Sequence, residues 1–256
     1  MTHDGSGELP SGTGAYLLGS RDSLSGVVPP PGTYFSIDAI YIKGSVDRLS
    51  IGGIVLANAD SEALVTKLNF TQGFKGKILG GRPAMTLTVP FVVATLKFDS
   101  VIFGAARRIS DNNRGFGDIT ITPGLGWDKG KSHFAFQTSF FLPTGYYKKA
   151  SVNIPSRSIQ ALSFGKNRVA IDPTLSYTYL NPKSGLEFSG AVGTTFSFRN
   201  KATDYQTAPE FHSEIAALKH WKNGLALGAA GYAYQQWGND SGPGLITCRL
   251  SWAPSR

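Results

Sequence analysis

The sequence is poor in cysteine, in charged residues and in long apolar runs, and each shortage excludes a class of protein. Its 256 residues include a single cysteine, Cys248, so a disulfide framework is excluded, and no Cys/His cluster has the spacing of a zinc site. Charged residues make up 16% of the chain, whereas ordinary soluble domains have about 25%. The longest strongly apolar run, residues 89–96, is interrupted by Pro90 and Thr95. Nothing therefore approaches the roughly 18 apolar residues of a membrane-spanning helix.

Glycine and aromatic residues, by contrast, are abundant. The chain has 31 Gly, 16 Phe, 10 Tyr and 4 Trp, which argues against both disorder and a helical bundle. The net charge of +8 raises the question of an anionic partner, either nucleic acid or a membrane surface. The basic residues are concentrated in stretches rich in Gly, Asn and Pro, and include Arg107, Arg108, Arg114, Lys148, Lys149, Arg157, Lys166 and Arg168. Because no helix carries a basic stripe, we expect no nucleic-acid partner.

Alternation of apolar and polar residues recurs along the whole chain and predicts β-strands. In residues 85–91, Leu87 and Val89 share one face, whereas Thr86 and Thr88 share the other. The same pattern occurs at residues 34–41, 62–70, 118–122, 133–142, 171–179, 186–198 and 210–217. The register of a ninth strand, at residues 225–237, stays open because Tyr232 and Tyr234 compete with Leu225 and Leu227 for the apolar face.

The lengths of the connections distinguish between the β folds. Longer connections, at residues 43–59, 97–115, 144–166, 200–206 and 238–242, alternate with short ones at residues 72–81, 128–131, 181–184 and 220–223. A transmembrane barrel has short turns at one rim and long loops at the other, whereas a Greek-key sandwich has no such rhythm. Aromatic residues border both kinds of connection, as the girdles of a barrel do. We therefore expect an all-β fold, an up-and-down antiparallel transmembrane β-barrel with nine or ten readable strands.

Six short segments, taken in their order along the chain, resemble a known family. They are residues 14–19 (GAYLLG), 25–34 (SGVVPPPGTY), 115–118 (GFGD), 142–146 (LPTGY), 210–214 (EFHSE) and 224–236 (GLALGAAGYAYQQ). Over residues 14–242 this set resembles the phenol meta-pathway degradation-type outer-membrane channels. The resemblance implies a monomeric barrel of about twelve strands in the bacterial outer membrane. It also implies passage of small, often hydrophobic or aromatic molecules, with the N-terminal segment inside the lumen.

The two ends of the chain determine the expected domain organisation. The sequence begins without a basic region followed by an apolar core, so we expect no signal peptide within the given chain. We expect an N-terminal segment, residues 1–32, that folds into the lumen, and a barrel formed by residues 33–256. Residues 243–256 have two interpretations, a genuine tenth strand or a truncated or frame-shifted end. Truncation is favoured because the resemblance implies two or three further strands.

Motifs that carry catalytic chemistry are absent: there is no G-x-S-x-G elbow, Walker loop, H-E-x-x-H or dinucleotide fingerprint. One dense group of chemical side chains exists, Glu210, His212 and Glu214, which share one strand face at successive spacings of about 7 Å. Such a trio contributes to a metal site or to acid–base chemistry when neighbouring strands supply partners. A hydrated row of lumen residues is the favoured interpretation, and we expect no enzyme activity, no metal and no cofactor.

If the apolar faces contact lipid, the opposite faces line the pore. The predicted pore-lining residues are Asp38, Lys67, Asp118, His133, Asp172, Glu187, Glu210, His212 and Glu214. The interior would then be acidic, and the basic surplus in the loops would meet lipopolysaccharide or attract anions to the mouth.

A stiff element, residues 29–31, follows the first family-like segment. Proline cannot donate to a strand ladder, so this run either starts a strand as a linker or turns the preceding residues back into the pore to narrow it. The predicted N-terminal constriction comprises Tyr16, Leu17, Leu18, Pro29, Pro30 and Pro31.

The sequence thus predicts an outer-membrane channel for passive diffusion of small, hydrophobic or aromatic molecules. Outer-membrane lipid, lipopolysaccharide and those solutes are the expected partners. Two alternatives stay open, a non-transporting structural or adhesive barrel and an outer-membrane enzyme that acts on lipid.

Overall fold

The computed structural model describes residues 15–51, 54–100, 107–148, 151–153, 158–160 and 162–242. The strands are β1 (Gly32–Ile51), β2 (Ile54–Gly73), β3 (Arg82–Ser100), β4 (Arg107–Phe116), β5 (Thr120–Lys129), β6 (Ser132–Phe141), β7 (Ser151–Asn153), β8 (Ser158–Gln160), β9 (Ala170–Asn181), β10 (Leu186–Ser197), β11 (Glu210–His220) and β12 (Ala226–Gln236). The all-β class is confirmed. None of the residues in these ranges belongs to a helix long and apolar enough to cross a membrane.

Ten of the strands form one antiparallel sheet that curls into a half-barrel. Its order is β1-β2-β3-β5-β6-β9-β10-β11-β12, so neighbours in the chain are neighbours in the sheet. Strands β4 and β5 lie end to end along β3. Residues 82–88 of β3 pair with β5, and residues 91–100 of β3 pair with β4. Within the described ranges, β1 and β12 are the two edges. This is the up-and-down connectivity that the connection lengths predict.

The two faces of the sheet have the reverse of the polarity that a soluble protein shows. Large apolar side chains are exposed on the outer face, among them Phe35 at 64% and Ile215 at 68%. Polar side chains are buried on the inner face, where Asp172, Thr178 and Glu187 have no exposed surface. Because apolar-out, polar-in alternation is typical of strands that face lipid, the sheet has the surface of a transmembrane barrel wall.

Two of the connections predicted as long loops are largely strand. Strands β1 and β2 pair from Gly32 and Gly73 as far as Ile51 and Ile54, so residues 43–51 and 54–59 belong to the strands. Strands β3 and β4 likewise include residues 97–100 and 107–115. Sequence reasoning missed these extensions because it required an apolar face, whereas backbone hydrogen bonds alone continue a ladder beyond lipid.

The N-terminal segment, here the described residues 15–31, lies against the inner face. Val28 packs with Ala84 and Ala135, and Tyr16 with Phe141 and Ala170. Residues 1–14 and the tenth strand predicted at residues 243–256 lie outside the described residues.

Close approach of this segment to the wall depends on glycine. A Cβ atom on Gly26 would lie 2.5 Å from the His133 carbonyl oxygen, and one on Gly126 would lie 2.5 Å from the Val28 Cβ. Real Cβ atoms do not approach this closely, so a side chain at either position would push the segment away from the inner face.

Candidate functional site

Glu214, on β11, holds the first part of the N-terminal segment. Its carboxylate accepts hydrogen bonds from the Tyr16 hydroxyl at 2.8 Å, the Gly19 amide at 3.0 Å and the Arg21 amide at 2.7 Å. Burial raises the pKa of the Tyr16 hydroxyl far above its usual value; the Arg21 charge opposes this shift and the Glu214 charge adds to it. Tyr16 therefore stays protonated and donates to the carboxylate.

Glu187, on β10, holds the second part of the segment. It accepts hydrogen bonds from the Leu24 amide at 2.7 Å and the Ser23 hydroxyl at 3.2 Å. His220 Nε2 lies 2.5 Å from the same carboxylate, which also accepts from the Ser189 hydroxyl at 2.6 Å. The two buried glutamates thus bind backbone amides of the segment, and charge-assisted bonds of this kind are stronger than neutral ones.

His212 and Asp172 form a buried pair across three strands. His212 Nε2 lies 2.8 Å from Asp172 Oδ2, and the hydroxyls of Thr174 and Thr195 donate to the same carboxylate at 2.5 Å. The imidazole crosses β10 at Gly193, where a Cβ would lie 2.6 Å from His212 Nε2. The missing side chain at position 193 is therefore what allows the pair to form.

The trio that the sequence singled out is divided among different partners. Glu210 accepts a 2.6 Å hydrogen bond from the Tyr234 hydroxyl, His212 binds Asp172, and Glu214 binds the N-terminal segment. The Tyr16 ring stacks on the His212 ring, with centroids 3.8 Å apart. In the described part of the chain, no three His, Cys, Asp or Glu residues are grouped so as to hold a metal ion.

The register of β12 resolves the ambiguity of the ninth predicted strand. Tyr232 is paired with Glu214, and Tyr234 with His212. Directly opposed residues of an antiparallel pair project to the same side of the sheet. The two tyrosines therefore lie on the polar inner face, and Leu227 lies on the apolar outer face.

The rest of the inner face borders a cavity of about 600 Å³. Strands β1, β2, β3, β5 and β6 contribute mostly polar side chains, including Ser36, Asn69, Thr71, Thr86, Thr88, Thr122, Gln137 and Ser139. Several of these bond to one another across the strands, as Thr88 does to Asn69 at 2.8 Å and Thr122 to Ser139 at 3.0 Å. Apolar side chains also line the cavity: Leu17, Leu24 and Val27 of the N-terminal segment, Val65, Val92, Leu162 and Phe164. The cavity is therefore amphipathic.

The structure places only part of the predicted pore lining on this cavity. Asp38, Lys67 and Asp118 line it. Asp172, Glu187, Glu210, His212 and Glu214 are buried in the contacts described above. His133 pairs with Asp128 at 2.5 Å, and Asp128 also binds Arg82 at 2.6 Å.

The predicted constriction residues also separate into two groups. Tyr16 and Leu17 border the cavity, whereas Leu18 packs against the cluster of Tyr16, Phe141 and Ala170. Pro30 and Pro31 are exposed, Pro29 is half-buried, and the Pro30 carbonyl accepts a 3.1 Å hydrogen bond from Tyr34. Residues 29–31 thus join the segment to the start of β1.

Asp118 lies in the connection between β4 and β5. It binds two stretches of the long connection between β6 and β9. Its carboxylate accepts the Gly145 amide at 2.8 Å and the Lys166 amide at 2.7 Å. Burial raises the pKa of this carboxyl, and the two amide donors act against that shift. Gly145 permits the approach, because a Cβ there would lie 2.6 Å from the Gly117 carbonyl carbon.

Sequence reasoning missed the cavity hydroxyls, Arg21 and Gly193. The period-two pattern places the threonines on the polar face, but the predicted pore lining includes only the ionisable residues of that face. No sequence signal marked Arg21 or Gly193, because their partners lie 118 residues away on β6 and 19 residues away on β11.

A comparison of the chain with known protein families gives a match. A family described as "Putative MetA-pathway of phenol degradation" matches residues 47–249. The chain belongs to this family. The matched residues include strands β2 to β12 and the last part of β1.

A solved structure has the same fold. The crystal structure of an outer membrane channel from Pseudomonas putida F1 is 14% identical to the chain, with a TM-score of 0.59. The match covers 88% of this chain and 78% of that one. At this identity the likeness shows the fold alone, that of an outer-membrane channel barrel. No curated protein matches the chain.

Proposed function

We propose that the protein is a channel of the bacterial outer membrane through which small, hydrophobic or aromatic molecules diffuse passively. The observation that carries the proposal is the amphipathic cavity of about 600 Å³ on the polar face of a sheet whose other face is apolar. The name of the family and the fold shared with an outer membrane channel support the same function.

The lining of the cavity suits small aromatic molecules that carry one polar substituent. Leu17, Leu24 and Val27 offer apolar surface to a ring. The hydroxyls of Thr86 and Thr88 offer hydrogen bonds to a substituent such as a phenolic hydroxyl. Weak contacts of both kinds favour entry and still permit release, as conduction requires.

The Asp172–His212 pair resembles part of a catalytic triad, but its surroundings favour a structural role. His212 is 1% exposed and is covered by the Tyr16 ring. The nearby hydroxyls of Thr174 and Thr195 are buried and donate to Asp172. A nucleophile needs its hydroxyl to donate to the base and to reach the substrate. These contacts therefore support a channel over a lipid-acting enzyme.

Flux into proteoliposomes tests the proposal. Liposomes that contain the full chain should take up hydroxylated aromatic solutes such as catechol faster than protein-free liposomes, without an energy source and at equal rates in both directions. Heat-denatured protein provides the control for membrane leakage. Uptake no faster than in the protein-free liposomes would contradict the proposal.

A further inference from the structure

Arg21, in the N-terminal segment, brings a guanidinium group to the cavity. Its backbone amide binds Glu214, while its side chain lines the cavity and donates to the Ser139 hydroxyl at 3.1 Å. Within the described residues, the guanidinium forms no ion pair. Its planar donors match a carboxylate in bidentate geometry, and one neutral hydroxyl leaves most of them available.

Lys67, on β2, brings a second cation to the same place. Its ammonium donates to the Ser20 hydroxyl at 3.2 Å, and Ser20 is the residue next to Arg21. Its ion pair with Asp38 is long at 3.7 Å, and the Asp38 carboxylate is also bound by Asn69 at 2.8 Å. Residues 20 and 21 therefore connect β2, β6 and β11 across the lumen, with both cations on the cavity.

The nearby acidic groups leave both cations on the cavity lining. Asp38 balances one of the two cations. Glu214 is 1% exposed, does not line the cavity, and is satisfied by three donors from the N-terminal segment. Among the charged side chains that line the cavity beside residues 20 and 21, Arg21 and Lys67 are cationic and Asp38 is anionic, and Leu17 and Val27 add apolar surface to the same lining.

We infer that Arg21 and Lys67 form a binding site for organic monoanions with an aromatic ring, such as aromatic carboxylates. The inference rests on the proposed channel function and specifies which solutes the channel prefers. The guanidinium and ammonium groups bind the carboxylate, and the apolar lining contacts the ring. Cationic groups inside a cleft with low-dielectric walls attract anions and raise their local concentration.

Reversal potentials in planar bilayers test the inference. Under a gradient of potassium benzoate, the wild-type channel should pass benzoate in preference to potassium. The variant that carries both Arg21→Gln and Lys67→Gln keeps hydrogen-bond donors at the two positions and removes their charge. We expect the ratio of benzoate to potassium permeability to fall roughly tenfold in this variant. Lys183→Gln combined with Lys222→Gln, an equal change of charge at two exposed turns, should leave the ratio unchanged.

The outcomes separate the two proposals. If the wild-type protein forms no conducting pores, the channel function itself fails. If it conducts and the neutralised variant keeps the wild-type benzoate preference, the anion site is wrong. Arg21→Lys and Lys67→Arg keep the charge and serve as checks on folding. Benzoate preference must survive in these two variants, and its loss there would also overturn the inference.

Discussion

At the scale of single residues, the inner wall depends on positions where a side chain is absent. Gly193 is such a position, because the His212 imidazole occupies the space where its Cβ would lie. The resulting contact with Asp172 is buried, and a buried carboxylate that loses its partners is costly. The glycine thereby makes the polar network of β9, β10 and β11 possible.

We predict that Gly193→Ala lowers the free energy of unfolding by about 1–3 kcal/mol, because the methyl group displaces His212 from Asp172. Urea unfolding in detergent micelles measures the change. Gly190→Ala on the same strand is the matched control, since its nearest atoms would lie at 3.6 Å, an ordinary contact distance. Equal losses in the two variants would show that His212 is not held in this way.

The face of the sheet that a side chain occupies could be predicted from the sequence. The contacts between side chains could not. Alternation placed Phe136 outside and Ser139 inside, as the structure has them. The pairing of His212 with Asp172, 40 residues away, depends on strand register and on Gly193 between them. Register is a property of the assembled sheet, so a pattern within one strand does not contain it.

At the scale of elements, the N-terminal segment is held to the barrel wall by two glutamates and close glycine contacts. The family resemblance implied a segment in the lumen, and the sequence left open what residues 29–31 do. The contacts of Glu187 and Glu214 could not be predicted, because both glutamates look like ordinary polar-face residues in their strands. Their role becomes visible only when the backbone amides of the segment lie against them.

We predict that Glu214→Ala releases the first part of the N-terminal segment, because Tyr16, Gly19 and Arg21 lose their acceptor. Trypsin cleavage after Arg21, followed by mass spectrometry, should become faster by at least about tenfold. Glu210→Ala removes a carboxylate from the same strand face, but its partner is Tyr234, so cleavage should stay at the wild-type rate. Unchanged cleavage in the Glu214 variant would contradict the role assigned to this glutamate.

The long loop between β6 and β9 should respond to Asp118 in a comparable way. In Asp118→Ala the amides of Gly145 and Lys166 lose their acceptor, and we expect their hydrogen exchange to accelerate by roughly tenfold or more. Exchange measured by mass spectrometry on peptides that contain these amides gives the result. Asp22→Ala, which removes an exposed carboxylate that accepts the amide of Ser23, should leave them unchanged. The same rate in all three proteins would rule out this function of Asp118.

At the scale of the whole molecule, the two faces of one sheet differ in polarity and in what covers them. The outer face is apolar and exposed, and the inner face is divided between a part covered by the N-terminal segment and a part that borders the cavity. Sequence patterns predicted the polarity of the faces. They did not predict this division, because it arises from how the segment folds against β9, β10 and β11. If solutes cross the molecule, they pass along β2, β3 and β5.

Solute flux through variants at two neighbouring positions of β3 tests whether solutes pass through this cavity. Thr88 lines the cavity, whereas Leu87 is exposed on the outer face. Thr88→Trp should therefore fill the passage and reduce catechol uptake into proteoliposomes at least about fivefold, whereas Leu87→Trp places an indole toward lipid and should leave uptake unchanged. Uptake that is equal in both variants and in the wild type would contradict passage through this cavity.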